Sequence, residues 1–444
     1  MKHTNLIHLF KHALNAVDPK KTIENSLQLD GTRFSVASQN ETVFDCNIKQ
    51  IENLYVVGCG KAVCSMYNTV YPILGTYIRQ ALLVTKYGHT TKIDPDRTEI
   101  IQAGHPLPDI NGVYGAEKIR KILMNAGEND LVIALLSGGG SALWSLPTVD
   151  LSIEDLICMN QILLECGASI HEINTIRKHV TQLFGGNAAQ VAFPSRVITL
   201  IISDVIGDNL DTIASGPFSP DTTTYEDALL ILDKYNLKPH IPSTILQHIV
   251  DGIDGKWNET PKKEGSCFEH VTSVLVCSNT SALRAIAERA SEMGYESVVI
   301  EEPLSGEARE TANHYFTMIE KIAKRKASKP LCIISGGETT VTLGSNYGKG
   351  GRNQEFALAL ALLIQNRKDI TVLSCGTDGT DGPTDAAGAI VDGQFVSRCR
   401  RMGLNAREFL DKHDSYTLFS MTDDLVRTGP TLTNVMDIQI TIID

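Results

Sequence analysis

The chain has 444 residues, 42% of them hydrophobic and 21% charged, with a formal net charge of −12. That length suits two or three domains of roughly 150 residues, each with its own core. The acidic balance argues against nucleic acid or an anionic membrane as the main partner, because both reward basic patches. Ten cysteines are scattered without a CxxC pair or a Cys/His cluster. They read as buried thiols of a reducing compartment, not as a disulfide framework or a zinc site.

The N-terminal stretch MKHTNLIHLFKHALNAVDPKK lacks the apolar core of a signal peptide. Its Leu6, Ile7, Phe10, Leu14 and Val17 recur at helical spacing and predict an amphipathic helix that packs on one domain or the other. No run approaches the roughly 18 apolar residues of a membrane span, so a cytoplasmic protein is expected.

Six apolar runs follow in order: Leu54–Gly60, Leu131–Gly140, Val197–Asp204, Val271–Ser278, Leu331–Gly337 and Ile370–Gly376. Most lead into a glycine-rich turn and then a helical stretch, such as 281–293 or 353–363. Near-continuous Val/Ile/Leu runs suit strands covered on both faces, as in parallel sheets, and strands alternating with helices predict an α/β fold. The polar, aperiodic segment Asp251–Glu264 reads as a linker. It divides the chain into an expected N-terminal domain over 1–250 and a C-terminal domain over 265–444.

In open α/β sheets ligands bind beyond the carboxyl ends of the strands, and the loops there are unusual. GCGKA places Lys61 beside Gly58 and Gly60. SGGGS, residues Ser137, Gly138, Gly139, Gly140 and Ser141, can bring backbone N–H groups close to an anion. A second SGG, with Gly336 and Gly337 followed by Glu338, repeats the pattern. Arg352, after two glycines and before Asn353, can clamp a carboxylate or phosphate through two parallel bonds. Arg177 and Lys178 sit on a predicted helix, as ligand groups or as a solvated face. Asp204 and Asp208, with Asp378, Asp381 and Asp385, supply the carboxylates that a magnesium–nucleotide site shares with phosphate oxygens; Asp204, Asp378 and Asp381 are the expected metal ligands. An acceptor hydroxyl also needs a proton acceptor, a role suited to an Asp; Lys61, Arg352 and Asp204 are the expected catalytic residues. His105, in AGHPLPD, reads chiefly as a turn residue. GCGKAV matches neither a P-loop nor GxGxxG, which counts against nicotinamide binding.

These motifs, in this order, resemble the class II glycerate 2-kinases, whose C-terminal part is called the MOFRL domain. The matching stretches are Gly58–Ala62, Ala103–Asp109, Leu135–Pro147, Asn174–Gly186, Ile202–Asp221, Ile334–Gly344, Gly348–Ala359, Gly376–Ala389 and Thr428–Asp437. The resemblance implies two α/β domains, the first a Rossmann-like parallel-sheet sandwich, with the active site in the cleft between them. It implies ATP-dependent phosphorylation of D-glycerate at its 2-hydroxyl, with ATP and Mg2+ as cofactors, by a monomer or homodimer. It points to Lys61 and Arg352 as active-site residues. The last motif departs from the family's usual TGPTGTNVND, with Leu432 and Met436 at two of its positions. The competing expectations are an NAD(P)-dependent hydroxypyruvate reductase and a non-catalytic binder of sugar acids or phosphates.

Overall fold

The computed structural model describes residues 2–38, 41–91, 97–324 and 330–444. The chain divides into two compact units, one of Pro19–Val276 and one of Met1–Asp18 with Cys277–Asp444. None of the described helices is long and apolar enough to cross a membrane.

The first unit opens with a small antiparallel sheet of β1 (Leu27–Asp30), β2 (Arg33–Ser38) and β3 (Glu41–Asn47). Its main sheet contains β4 (Leu54–Cys59), β5 (Ile78–Lys86), β6 (Thr98–Ala103), β7 (Leu131–Leu136), β8 (Arg196–Ile202) and β9 (Val271–Cys277), in the spatial order β6-β5-β4-β7-β8-β9. The four pairings from β6 to β8 are all parallel. Every residue of β4 and β7 is buried, which is why both read as unbroken apolar runs. Counted from β4, this is the doubly wound order 3-2-1-4-5-6. The order in which strands are added reverses between the parallel neighbours β4 and β7, and such a switch point is where ligands bind. A helical layer with its own core (Leu156, Met159, Ile176, Tyr225, Leu232, Ile245) completes the unit.

The sequence-placed linker lies inside this unit. Glu259 accepts from the Tyr225 N–H at 2.9 Å, and Thr260 Oγ1 donates to Asp221 Oδ2 at 2.9 Å. The segment is a strap across the helical layer, and β9 joins the first sheet. The spatial units therefore divide the chain elsewhere than at the expected 1–250 and 265–444.

The second unit is a mixed sheet of β10 (Glu296–Val299), β11 (Leu304–Glu307), β12 (Leu331–Thr340), β13 (Ile370–Gly376), β14 (Gly388–Asp392), β15 (Leu425–Val426) and β16 (Asp437–Ile443). The parallel expectation fails here: β16 is wedged antiparallel between β12 and β13. A strand buried on both faces is apolar throughout whichever way its neighbours run, so the pattern could not give direction. The N-terminal helix Lys2–Ala16 belongs to this unit, burying Leu6, Leu9, Phe10 and Ala13.

Candidate functional site

The switch point of the first unit is built from two loops in contact. After β4 the chain turns at Gly60, whose φ of 135° lies in the region that favours glycine. A Cβ there would stand 2.2 Å from Ser137 Oγ, so only glycine admits the approach. Lys61 N–H donates to the Gly138 carbonyl at 3.0 Å and Ala62 N–H to Ser137 Oγ at 3.0 Å. The SGGGS loop after β7 is thereby stitched to the lysine loop after β4. The N–H groups of Gly138 and Gly139 donate to no protein acceptor among the described residues.

Three side chains converge on this loop. A Cβ on Gly138 would lie 1.7 Å from Asp204 Oδ2, so the carboxylate after β8 rests against the Gly138 backbone. A Cβ on Gly139 would lie 3.0 Å from His105 Cδ2 and 3.2 Å from Lys61 Cε. Lys61 is half-buried and pairs with no carboxylate within 4 Å among the described residues. Burial raises the Asp204 carboxyl above its ordinary range, and the Lys61 charge opposes that rise. Burial, then the charges of Lys61 and Lys86, hold His105 down at about 4, so its imidazole is neutral at pH 7.

In the second unit Arg352 begins the helix Arg352–Leu363. Its Nε and Nη2 grip both oxygens of Asp437, at 2.7 and 3.0 Å, and Nη1 reaches Glu338 at 2.6 Å. Asp437 is fully buried. Asp381, also buried, caps the same helix from outside it: Oδ1 accepts from Asn353 N–H at 3.0 Å and Oδ2 from Gln354 N–H at 2.8 Å. Burial lifts its carboxyl to about 6 despite those bonds. A cavity of about 560 Å³ opens beside the helix start, lined in part by Tyr347, Arg352, Glu355, Asp378 and His413. At its edge Glu355 accepts from Arg309 Nε at 2.6 Å and lies 2.9 Å from His413 Nδ1.

Residues 5–250 match the family model described as a domain of unknown function, DUF4147, and residues 331–437 match the MOFRL family. A protein of Pyrococcus horikoshii named glycerate 2-kinase is 38% identical over 98% of this chain and 96% of its own length. The chain belongs to the class II glycerate 2-kinase family. A crystal structure of glycerate kinase from Thermotoga maritima superposes with a TM-score of 0.84 at 36% identity, covering 99% of each chain. A relative from Agrobacterium vitis, 42% identical over 86% of each chain, bears the name putative hydroxypyruvate reductase.

The structure brings together Lys61, Gly60, Ser137, Gly138, Gly139, Gly140, Ser141 and Asp204, and with them His105, whose sequence context suggests only a turn residue. Other expected site residues have different roles. Gly58 lies within β4, where a Cβ would press on Leu83 at 2.7 Å. Gly336 and Gly337 lie within β12, not in a loop: a Cβ on the first would strike Asn279 Oδ1 at 1.9 Å and on the second the Leu304 carbonyl at 2.1 Å. Arg352 holds protein carboxylates, and Glu338 is one of its partners. Asn353 is buried and accepts from Ser374 Oγ at 2.8 Å. Lys178 is neutralised by Asp211 and Asp221. Asp385 accepts from Tyr416 Oη and Arg427 Nε on the surface. Asp378 turns its own loop by accepting from Thr380 N–H at 3.0 Å. Among the described residues, no three His, Cys, Asp or Glu side chains are grouped to hold a metal. Asp381, one of the three expected metal ligands, is committed to its cap.

Proposed function

We propose that this chain transfers the γ-phosphoryl group of ATP to the 2-hydroxyl of D-glycerate, giving 2-phospho-D-glycerate and ADP. The observation that carries the reading is the meeting of Lys61, Asp204 and two unbonded N–H groups at the switch point of a doubly wound sheet. It stands in a chain that aligns with glycerate 2-kinases along its whole length. Phosphoryl transfer asks a protein chiefly to position groups and to neutralise charge. In this reading the bond from the substrate O2 to Pγ forms as the Pγ–O bond to ADP breaks. Lys61 offsets charge on the transferring group. The Gly138 and Gly139 amides orient it. Asp204 accepts the hydroxyl proton, and burial strengthens it as a base by raising its carboxyl. The neutral His105 ring lies with Lys61 against Gly139 and adds no second charge there.

Magnesium, when present, would reach the site with the nucleotide and reduce the charge of its phosphates. Of the expected ligands, Asp204 is the carboxylate that this site holds to adjoin it. EDTA is then expected to abolish activity and magnesium to restore it.

The test is a coupled assay for ADP release with D-glycerate, run beside NADH oxidation with hydroxypyruvate. ADP release, with a product that carries phosphorus on C2 by 31P NMR, is the expected result. NADH oxidation without ADP release would make the chain a reductase, and neither signal would make it a binder.

A further inference from the structure

Arg177 and Lys178 are neighbours on the helix Ile170–His179, and both are buried. Their environments differ. Lys178 has carboxylates at 3.1 Å (Asp221) and 3.2 Å (Asp211). Arg177, only 7% exposed, has none within 4 Å among the described residues. Its Nε donates to Asn160 Oδ1 at 2.6 Å, and its Nη1 points more loosely at Asn174 Oδ1, 3.4 Å away. Both acceptors are neutral amides. Nη2 donates to no protein atom among the described residues, yet it is not sealed from solvent. Burying a cation without a counter-charge works against the fold. The arrangement is that of a guanidinium whose partner anion comes with a ligand.

Its position says which ligand. Asn174 Oδ1 is 3.0 Å from Ser215 Oγ, which is 2.8 Å from Ser141 Oγ at the end of the SGGGS loop. Ala214 and Ser215 are both held at positive φ, 51° and 58°, a strained conformation for residues with side chains. The Arg177 charge also reaches His105 on the far side of that loop. Arg177 thus borders the same site as Lys61 and Asp204.

We infer that Arg177 is the specificity-determining residue that receives the carboxylate of the acceptor, so that the site takes short 2-hydroxy acids and not neutral polyols. The inference rests on the glycerate kinase reading. A planar fork matches a carboxylate held one bond from the reacting carbon, and lysine keeps the charge but loses the fork.

Two variants test it. Arg177→Lys removes the fork. Asn160→Asp places a carboxylate on Arg177 from within the protein, so the buried cation gains a partner and the fold is protected. Hydrogen bonds to a charged group correspond to a change of about 10- to 150-fold. In both variants the KM for D-glycerate is expected to rise by that factor, with the KM for ATP and the unfolding midpoint near those of the wild type. Unchanged KM for D-glycerate in the folded variants, or an equal rise in both KM values, would overturn the assignment. The wild type judges the underlying reading separately: without ATP-dependent turnover of D-glycerate, it is the kinase reading that fails.

Discussion

Replacing Arg352 by Ala is expected to act first on stability. Asp437 is fully buried, and Arg352 supplies both of its charge-assisted bonds. Removing one partner of a buried ion pair costs about 3–5 kcal/mol, because the other charge is left uncompensated. The Arg352 side chain is 34% exposed, so water can replace part of what is lost, and the lower end, about 3 kcal/mol, applies. The Glu338 contact is exposed and adds less than about 1 kcal/mol. For a unit of this size, about 3 kcal/mol lowers the midpoint by roughly 6–12 °C. The penalty depends on pH. Burial raises the Asp437 carboxyl and Arg352 opposes the rise, so without Arg352 the folded pKa climbs further. A carboxyl whose pKa is higher folded than unfolded binds more protons in the native state across that window, so stability falls as pH rises through it. The deficit of Arg352→Ala should therefore be largest at pH 8 and shrink on acidification, as Asp437 takes up a proton. Urea unfolding of wild type, Arg352→Ala and Arg352→Ala/Asp437→Asn at pH 8 and pH 5.5 measures this, and the second substitution should restore most of the loss. If Arg352→Ala loses activity but stays within about 0.5 kcal/mol of wild type at pH 8, the reasoning is refuted, and Arg352 returns to the direct anion-binding role that its sequence context suggested.

Lys61→Ala should lower kcat about 100-fold or more, roughly 2.7 kcal/mol of barrier, with an unchanged unfolding midpoint, because this half-buried lysine carries no ion pair among the described residues. Asp204→Asn should lower kcat by about 100-fold or more. In the wild type the acid limb of the kcat profile should fall above the ordinary aspartate range, since activity disappears as pH drops through a carboxyl raised by burial; a limb at the normal position would argue against Asp204 as the base. Gly138→Ala places a Cβ 1.7 Å from Asp204 Oδ2, so circular dichroism should report a folded protein while turnover collapses with the displaced carboxylate. Leu432 is exposed and sits at φ 62°, where Asn is better tolerated; Leu432→Asn should raise stability by about 0.5–1 kcal/mol in denaturant unfolding.

The first unit was legible in the sequence because its determinants are local. Buried parallel strands produce unbroken apolar runs, and the residues just past them, Lys61, Ser137–Ser141 and Asp204, have nowhere to go but the ligand end of the sheet. The second unit was misread where a residue's reason lies far along the chain. Gly336 is small because Asn279 packs on it, and Gly337 because the Leu304 backbone does; in isolation, both look like a second anion loop. Asp381 looks like a metal ligand among glycines, yet it caps a helix that begins 29 residues earlier. The fork of Arg352 is used, but on Asp437, whose place in β16 no local pattern announces. The strap at 251–264 has the composition of a linker because surface segments of both kinds are polar. His105 carried one signal, its place directly after β6, and chain order alone could not bring it to Gly139. The unusual Leu432 and Met436 both lie at positive φ, which explains why Gly and Asn are the family's usual residues there.

The unit that holds β16 contains both the first and the last described residues of the chain, and this bears on how it can be made. On a ribosome the helix Lys2–Ala16 emerges before Pro19–Val276, with Leu6, Leu9 and Phe10 lacking their final cover until the helix Asn279–Glu292 and β16 have been synthesised. Pro19–Val276 can close its sheet in the meantime, so the order of completion is inside-out along the sequence. A fragment that starts at Cys277 would lack the helix and expose the apolar surface it covers. Such a fragment should aggregate when expressed alone, and residues 1–18 supplied as a separate peptide should dissolve it.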